Sequence, residues 1–184
     1  MDELPINTKR LRLRRFQADD LDAFCAYRSD PEVGRYQGWN AFTLEEAGRF
    51  ISQQQIGMLD TPGRWFQIAI AERKTNAIIG DIGLCLIGSE EAEIGFSLAR
   101  RAQGAGFGSE AVEAIARTLL DSGRINTLRA TTDTRNVKSI ALLVRLGFDL
   151  KRTTAEIFHG QWCQQHRYVL IARRPEERGQ KERA

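Results

Sequence analysis

The chain has 184 residues, of which 42% are hydrophobic and 28% are charged, a composition typical of one domain with a substantial core. Its 27 Lys and Arg and 24 Asp and Glu residues leave a net charge of +3, which argues against nucleic acid as a partner because phosphate backbones attract concentrated basic surfaces. No apolar run approaches the roughly 20 residues that span a bilayer, which argues against a membrane partner.

The three cysteines, Cys25, Cys85 and Cys163, are widely spaced and show no metal-type pairing. We therefore expect reduced thiols, no metal site and a cytoplasmic location. We expect residues 1–172 to form a single domain. The charged residues 173–184 are expected to form a disordered tail.

The first predicted element is a strand near the N-terminus. Leu11 and Leu13 alternate with Arg10, Arg12 and Arg14, and this period of two predicts an edge strand with one basic, solvent-facing side.

Two helices are predicted next. The first begins at Asp19 and Asp20 and is stopped at Pro31, because proline disfavours a helical residue before it. The second begins at Thr43, which has capping-box spacing to Glu46, and is expected to end near residues 60–63.

The second half of the chain is predicted to alternate strands with helices. Three strands separated by turn signals predict an antiparallel meander, and a later strand-helix-strand series predicts one parallel crossover. A closing hairpin turns at His159 and Gly160. The strands are expected at 66–71, 78–86, 92–99, 128–132, 149–158 and 162–172, and the helices at 106–120 and 136–146.

A glycine-rich loop lies between the meander and the first of these helices. Gly104, Gly106 and Gly108 occupy three of five positions, so the backbone can turn tightly and direct successive N–H groups inward. The helix that follows adds partial positive charge at its N-terminus. This pattern predicts a pyrophosphate site, although a plain glycine-rich turn has the same sequence signature.

Several short motifs occur in a fixed order along residues 8–172. The motifs lie at 8–14, 30–33, 93–98, 103–111, 136–139, 146–148 and 160–162. Together they resemble the GCN5-related N-acetyltransferase (GNAT) family, and within it the RimJ/RimL-like branch that acetylates ribosomal-protein N-termini.

The resemblance implies an α/β fold, also classed as α+β: a mixed, mostly antiparallel twisted sheet flanked by helices, with one parallel β-α-β crossover at the acetyl-CoA site. It also implies transfer of acetyl from acetyl-CoA to a primary amine. The residues implied to bind acetyl-CoA are Phe96, Ser97, Leu98, Gln103, Gly104, Ala105, Gly106, Phe107, Gly108, Ser109, Asn136 and Ser139.

The resemblance places candidate catalytic groups on both sides of the loop. Glu93 is expected to take the amine proton through a water, or else only to orient the substrate. A backbone N–H near Leu98 is expected to polarise the acetyl carbonyl. Leu143 stands where many members have Tyr, so the proton for the thiolate comes from Ser139, from Asn136 through a water, or from solvent. The alternative is that Ser139 only contacts the pantetheine arm of the cofactor and takes no part in proton transfer.

The acceptor is not identified by the sequence. A peptide α-amine, with a pKa near about 8, is more often neutral than a Lys amine near about 10.4, which favours a protein N-terminus, as on a ribosomal protein, over a polyamine or antibiotic amine. The resemblance assigns the acceptor groove to Glu32, Arg35, Tyr36, Trp39 and Phe42; core packing of the last two stays open. A homodimer also stays open.

Two other functions are compatible with parts of the sequence. Gly106-x-Gly108-x-x-Ala111, with Asp133 after the next strand, also satisfies a relaxed dinucleotide-binding fingerprint. That fold requires repeated parallel units, whereas only one crossover is predicted here. A non-catalytic acyl-CoA-binding module is the second alternative, because the usual Tyr is missing and the base is uncertain.

Overall fold

The computed structural model describes residues 4–39, 42–57, 61–158 and 160–172, so the predicted tail and His159 lie outside the described residues. The strands are β1 (Ile6–Asn7), β2 (Leu11–Arg14), β3 (Trp65–Glu72), β4 (Ile78–Leu86), β5 (Glu91–Leu98), β6 (Thr127–Asp133), β7 (Asp149–Phe158) and β8 (Gln161–Ile171). They form one sheet in the order β1-β2-β3-β4-β5-β6-β8-β7. Only the β5–β6 pair is parallel among these described strands, which confirms the predicted mixed, mostly antiparallel sheet with one crossover.

Helices flank this sheet. They are α1 (Leu21–Arg28), α2 (Pro31–Gly34), α3 (Leu44–Ile56), α4 (Phe107–Asp121) and α5 (Val137–Arg145). Within the described ranges, no helix is long and apolar enough to cross a membrane.

The predicted start of α3 is confirmed, but its predicted end is wrong. Thr43 Oγ1 accepts from Glu46 N at 3.2 Å, and Glu46 Oε2 accepts from Thr43 N at 2.8 Å, which is the predicted capping box. The helix ends at Ile56, before residues 60–63, because Gly57 adopts an extended conformation with ψ of 154°.

The sheet separates two clusters of buried side chains. Ile68 and Ile70 of β3 belong to one cluster and Ala69 to the other, because successive strand residues point to opposite faces. The first cluster contains the apolar face of α4, and the second contains aromatic and aliphatic residues of α1 and α3.

The predicted basic, solvent-facing side of β2 is wrong at Arg14. The preceding residue of this alternation, Arg12, is exposed, but Arg14 is only 4% exposed. The 3₁₀ turn Ala18–Asp20 brings Asp20 back to the strand, and Asp20 Oδ2 accepts from Arg14 Nη1 at 2.7 Å. A buried carboxylate therefore neutralises the charge, which alternation alone did not reveal.

Between β5 and β6 the sheet opens. The two strands are paired only at Glu91–Thr127, Ala92–Leu128 and Glu93–Arg129. Both continue beyond those pairs, β5 to Leu98 and β6 to Asp133, and they diverge. The divergence leaves one edge of β5 without a strand partner and creates a cleft in the middle of the sheet.

Candidate active site

The cleft contains a cavity of about 750 Å³. Its walls come from the open part of β5, the glycine loop, the beginnings of α4 and α5, and the chain around α2. All of the predicted acetyl-CoA residues line it except Ala105. Of the predicted acceptor residues, Glu32, Arg35 and Tyr36 line it, whereas Trp39 and Phe42 are not among its described lining residues. The predicted base, Glu93, is also not among them.

The glycine loop adopts a conformation that other residues rarely take. Gly104 and Gly106 have φ of +79° and +80°, in the left-handed region that strains residues with a Cβ. At Gly108, a Cβ would lie 3.0 Å from Leu142 Cδ1 and 3.3 Å from Leu98 Cδ1, so the start of α4 packs closely against β5 and α5. A loop of this shape at a helix N-terminus forms a cradle of N–H groups that fits a pyrophosphate.

The open edge of β5 directs backbone groups into the cavity. Ala99 N donates to Ile79 O on the β4 side at 2.8 Å, so by alternation the amides of Phe96 and Leu98 face the other way. There Gln37 Nε2 donates to Phe96 O at 3.3 Å and Gln103 Nε2 donates to Leu98 O at 3.1 Å. The Leu98 N–H consequently points into the cleft, where it can bind a carbonyl oxygen.

Ser139 and Leu143 lie one turn apart on α5, and both line the cavity. Asn136 caps this helix, because its Oδ1 accepts from Ser139 N at 3.2 Å. The Ser139 side chain is half-buried on the cavity wall. Leu143 is 1% exposed and belongs to the main core, so this position supplies packing and has no proton to donate.

Glu93 lies at the point where β5 and β6 begin to separate. It is the last β5 residue paired with β6, and its half-buried carboxylate accepts from Thr131 Oγ1 at 2.9 Å. Thr131 itself lines the cavity. Alternation places Glu93 on the same face of β5 as Gly95 and Ser97, which also line it. Ser97 Oγ is buried and has no hydrogen-bond partner within the described residues.

The side of the cavity that is predicted to bind the acceptor is built around Tyr36. Its hydroxyl donates to Arg135 O at 3.5 Å, and the Arg135 guanidinium lies 6.0 Å from its ring. Hydrogen bonds from the Arg135 side chain lower the pKa of Asp133, which is 3% exposed. Asp133 is therefore held in an ion pair, an arrangement different from the free ribose ligand of the dinucleotide alternative.

Trp39 and Phe42 pack beside α1 and are not among the described lining residues of the cavity. The Trp39 ring stacks against the Arg28 guanidinium at 3.6 Å, and Phe42 packs against the second hydrophobic cluster. Arg28 Nη2 donates to Asp81 Oδ1 at 2.8 Å. Both aromatic side chains thus pack beside α1 and the buried Arg28–Asp81 ion pair.

Several residues of the site were not predicted from the sequence. Gln37 and Thr131 make side-chain contacts inside it but stand in no recognisable motif. Arg10 reaches the glycine loop, since its Nη1 donates to Ala105 O at 2.8 Å. In the sequence, Arg10 is a basic residue at the start of an alternating strand pattern. Nothing in that pattern indicates that it bonds to Ala105, which is 95 residues away.

Comparisons with known proteins identify relatives. Residues 10–149 match the family model described as "Acetyltransferase (GNAT) domain". An uncharacterized N-acetyltransferase p20 from Bacillus licheniformis is 36% identical over 143 residues, covering 77% of this chain and 80% of that protein.

Two solved structures share the fold. RimL, a ribosomal L7/L12 alpha-N-protein acetyltransferase in complex with coenzyme A, has a TM-score of 0.79 and 20% identity over 92% of this chain and 98% of its own. A spermidine N-acetyltransferase from Vibrio cholerae, in complex with CoA and spermine, has a TM-score of 0.76 and 16% identity over 90% of this chain and 97% of its own.

Proposed function

Since this chain belongs to the GNAT family of acetyl-CoA-dependent N-acetyltransferases, we propose that it transfers acetyl to the N-terminal α-amine of a protein or peptide. The observation that carries this function is the cleft itself: β5 and β6 separate directly beside a left-handed glycine loop. When bound, acetyl-CoA supplies an activated acetyl thioester.

Cofactor binding divides between the loop and the strand. The backbone N–H groups of the glycine loop bind the pyrophosphate, and the α4 N-terminus adds to their positive potential. Along the open edge of β5, the Leu98 N–H donates to the acetyl carbonyl oxygen. A backbone donor fixed by the sheet needs no reorganisation as negative charge develops on that oxygen.

Acetyl transfer to an amine requires a base that takes the amine proton and an acid that protonates the departing thiolate. We assign the base to Glu93, acting through a water, because Thr131 connects its carboxylate to the cavity wall. We assign the acid to Ser139, because its side chain lies on the cavity wall at the start of α5 and Leu143 has no proton to give.

The charged side chains that line the cavity influence which kind of amine can bind there. Its described lining has one carboxylate, Glu32, and five cationic side chains. The cationic residues are Arg35, Arg100, Arg135, Lys138 and Arg145. Arg135 and Arg100 are ion-paired with Asp133 and Asp30, and the lining carboxylate Glu32 lies 3.9 Å from Arg35. The described lining therefore offers no unpaired carboxylate for the several positive charges of a polyamine, whereas a peptide N-terminus brings one. The α-amine also has a pKa of about 8, so a larger fraction of it is already neutral at cellular pH than for a Lys amine. A single carboxylate base therefore has less deprotonation to perform.

A thiol-release assay tests this function. Acetyl-CoA is supplied with equal concentrations of N-terminal peptides, N-terminally blocked Lys peptides, spermidine or an aminoglycoside. We expect thiol release with the peptides that have a free N-terminus, and little with the others. Faster release with spermidine or with blocked Lys peptides would contradict the proposed acceptor.

A further inference from the structure

We propose that Arg10, outside the cavity, is a positioning residue that sets the glycine loop for acetyl-CoA. The inference rests on the proposed function, because it takes the loop to be the pyrophosphate site. Three donors of Arg10 are used. Nη1 donates to Ala105 O at 2.8 Å, Nε to Glu110 Oε2 at 2.6 Å, and the backbone N to Glu110 Oε1 at 2.8 Å.

The contact with Ala105 orients the peptide bond that follows it. In a trans peptide the C=O and the next N–H point in opposite directions. The Ala105 carbonyl is held on the Arg10 side, so the Gly106 N–H is directed away from Arg10. Gly106 lines the cavity and Ala105 does not. Arg10 thereby selects the peptide orientation that presents an N–H to the pyrophosphate.

The contact with Glu110 controls charge at the same place. Glu110 lies in the first turn of α4, at the helix end where the pyrophosphate is proposed to bind. Partial burial raises the pKa of its carboxyl, but hydrogen bonds from Thr8 and Arg10 outweigh that effect and the pKa is lowered. The carboxylate is therefore ionised. The Arg10 guanidinium offsets a negative charge that would otherwise repel the phosphates.

Packing holds Arg10 in this position. Its guanidinium lies 4.4 Å from the centroid of the Phe107 ring, and Phe107 is the first residue of α4. Thr8 Oγ1 also donates to Glu110 Oε1 at 2.6 Å. Thr8 and Arg10 therefore hold the glycine loop and the start of α4 through three groups. These groups are the Ala105 carbonyl, the Glu110 carboxylate and the Phe107 ring.

The test compares Arg10→Ala, Arg10→Lys, Glu110→Gln and the double variant Arg10→Ala/Glu110→Gln. The matched control is Arg12→Ala, which removes the same charge from an exposed residue of β2. Calorimetry gives the Kd for acetyl-CoA, and steady-state kinetics give KM for each substrate separately. Thermal unfolding shows whether each variant folds.

We expect Arg10→Ala to weaken acetyl-CoA binding by about tenfold, a change of about 1.4 kcal/mol, with kcat and the acceptor KM close to wild type. The double variant should recover part of the loss because the uncompensated carboxylate is gone. Arg10→Lys should also recover part, since it restores charge without the guanidinium's several donors. Arg12→Ala should bind acetyl-CoA like wild type, and Glu110→Gln should bind it more tightly than Arg10→Ala does, because Arg10 can still donate to Ala105 O.

The proposal is overturned if Arg10→Ala binds acetyl-CoA as Arg12→Ala does, or if it raises both KM values equally while lowering the unfolding temperature. Gly106→Val distinguishes this failure from failure of the site assignment. If Gly106→Val loses acetyl-CoA and Arg10→Ala does not, only the role of Arg10 is wrong. If Gly106→Val binds normally, the loop is not the cofactor site and both proposals fall.

Discussion

At the scale of single residues, the proposed reaction depends on two side chains that come from different elements. Glu93 lies where β5 and β6 separate, and Ser139 lies in the first turn of α5. Neither position is a loop, so both side chains are held by regular backbone. That rigidity suits groups which must remain within reach of one reacting atom.

Replacing Glu93 by Gln tests the base. We expect kcat/KM to fall by roughly 10² to 10⁴ at neutral pH, because the amine must then lose its proton to solvent. Raising the pH supplies neutral amine and should recover much of the rate. Recovery that levels off near about pH 8 indicates an α-amine, and recovery that still climbs beyond about pH 9 indicates a Lys-type amine.

Glu91→Gln is the matched control, since Glu91 lies two residues earlier on β5 and forms an ion pair with Arg129 at the surface. It should retain wild-type kinetics. A Glu93→Gln protein with the same pH-rate profile as Glu91→Gln would assign Glu93 a purely structural role.

Replacing Ser139 by Ala tests the acid. If the hydroxyl protonates the departing thiolate, kcat should fall more than the acetyl-CoA KM rises, because the contact is made mainly in the transition state. Ser52→Ala is the control, since Ser52 is an exposed residue of α3 that donates to Gly48 O. Unchanged kcat with weaker acetyl-CoA binding would leave Ser139 as a pantetheine contact only.

At the scale of elements, the glycine loop and α1 depend on different kinds of constraint. Backbone conformation shapes the loop, whereas a buried ion pair fixes α1 to the sheet. Arg28 of α1 is 4% exposed and Asp81 of β4 is 2% exposed, and their side chains are bonded directly. Removing one partner of such a pair typically costs about 3–5 kcal/mol because the other charge is left buried.

Gly106→Val tests the constraint on the loop. A Cβ at φ of +80° is strained, so the N–H cradle should distort and acetyl-CoA affinity should fall by at least about tenfold. Calorimetry measures the loss. Gly88→Val is the control, since a Cβ there meets no heavy atom within 4 Å, and equal affinities for the two variants would contradict the role of the loop.

Tyr27 lies beside the Arg28–Asp81 ion pair and makes the stability of the folded protein depend on pH in the alkaline range. Burial, followed by the nearby Asp81 charge, raises the pKa of Tyr27 well above its usual value. The folded protein therefore keeps the phenol proton at pH values where the unfolded chain has lost it. This contribution to stability is complete below about pH 10, the unfolded value, and declines as the pH rises above it.

We accordingly expect Tyr27→Phe to weaken the dependence of unfolding temperature on pH above about pH 10. The variant still leaves Arg28 bonded to Asp81, so it should fold. Wild type and variant are compared by thermal unfolding from neutral to alkaline pH. Parallel curves would show that Tyr27 does not carry this dependence.

The elements were predictable where their signals are local. Alternation marked the strands, and Thr43 with Glu46 marked the start of α3. Interactions between distant segments left no such signal. Arg10 and Glu110 are 100 residues apart, and Arg28 and Asp81 are 53 apart. The outline of the site followed from motifs, but the side chains that support it became visible only in the folded chain.

At the scale of the whole molecule, the proposed function gives the two sides of the cleft separate roles. The glycine loop, α4 and α5 form the side proposed for acetyl-CoA, and the chain around α2 forms the side proposed for the acceptor. Glu93 and Leu98 lie on β5 between them. RimL and the spermidine N-acetyltransferase share this fold, so the fold alone does not identify the amine.

One measurement tests that choice within a single molecule. A peptide that has both a free N-terminus and an internal Lys is incubated with the enzyme and acetyl-CoA, and mass spectrometry of its fragments locates the acetyl group. Both amines then compete at the same concentration. The α-amine should carry the acetyl group and the Lys side chain should not. Acetylation mainly at Lys, or none at either amine while spermidine is acetylated, would contradict N-terminal α-amine transfer.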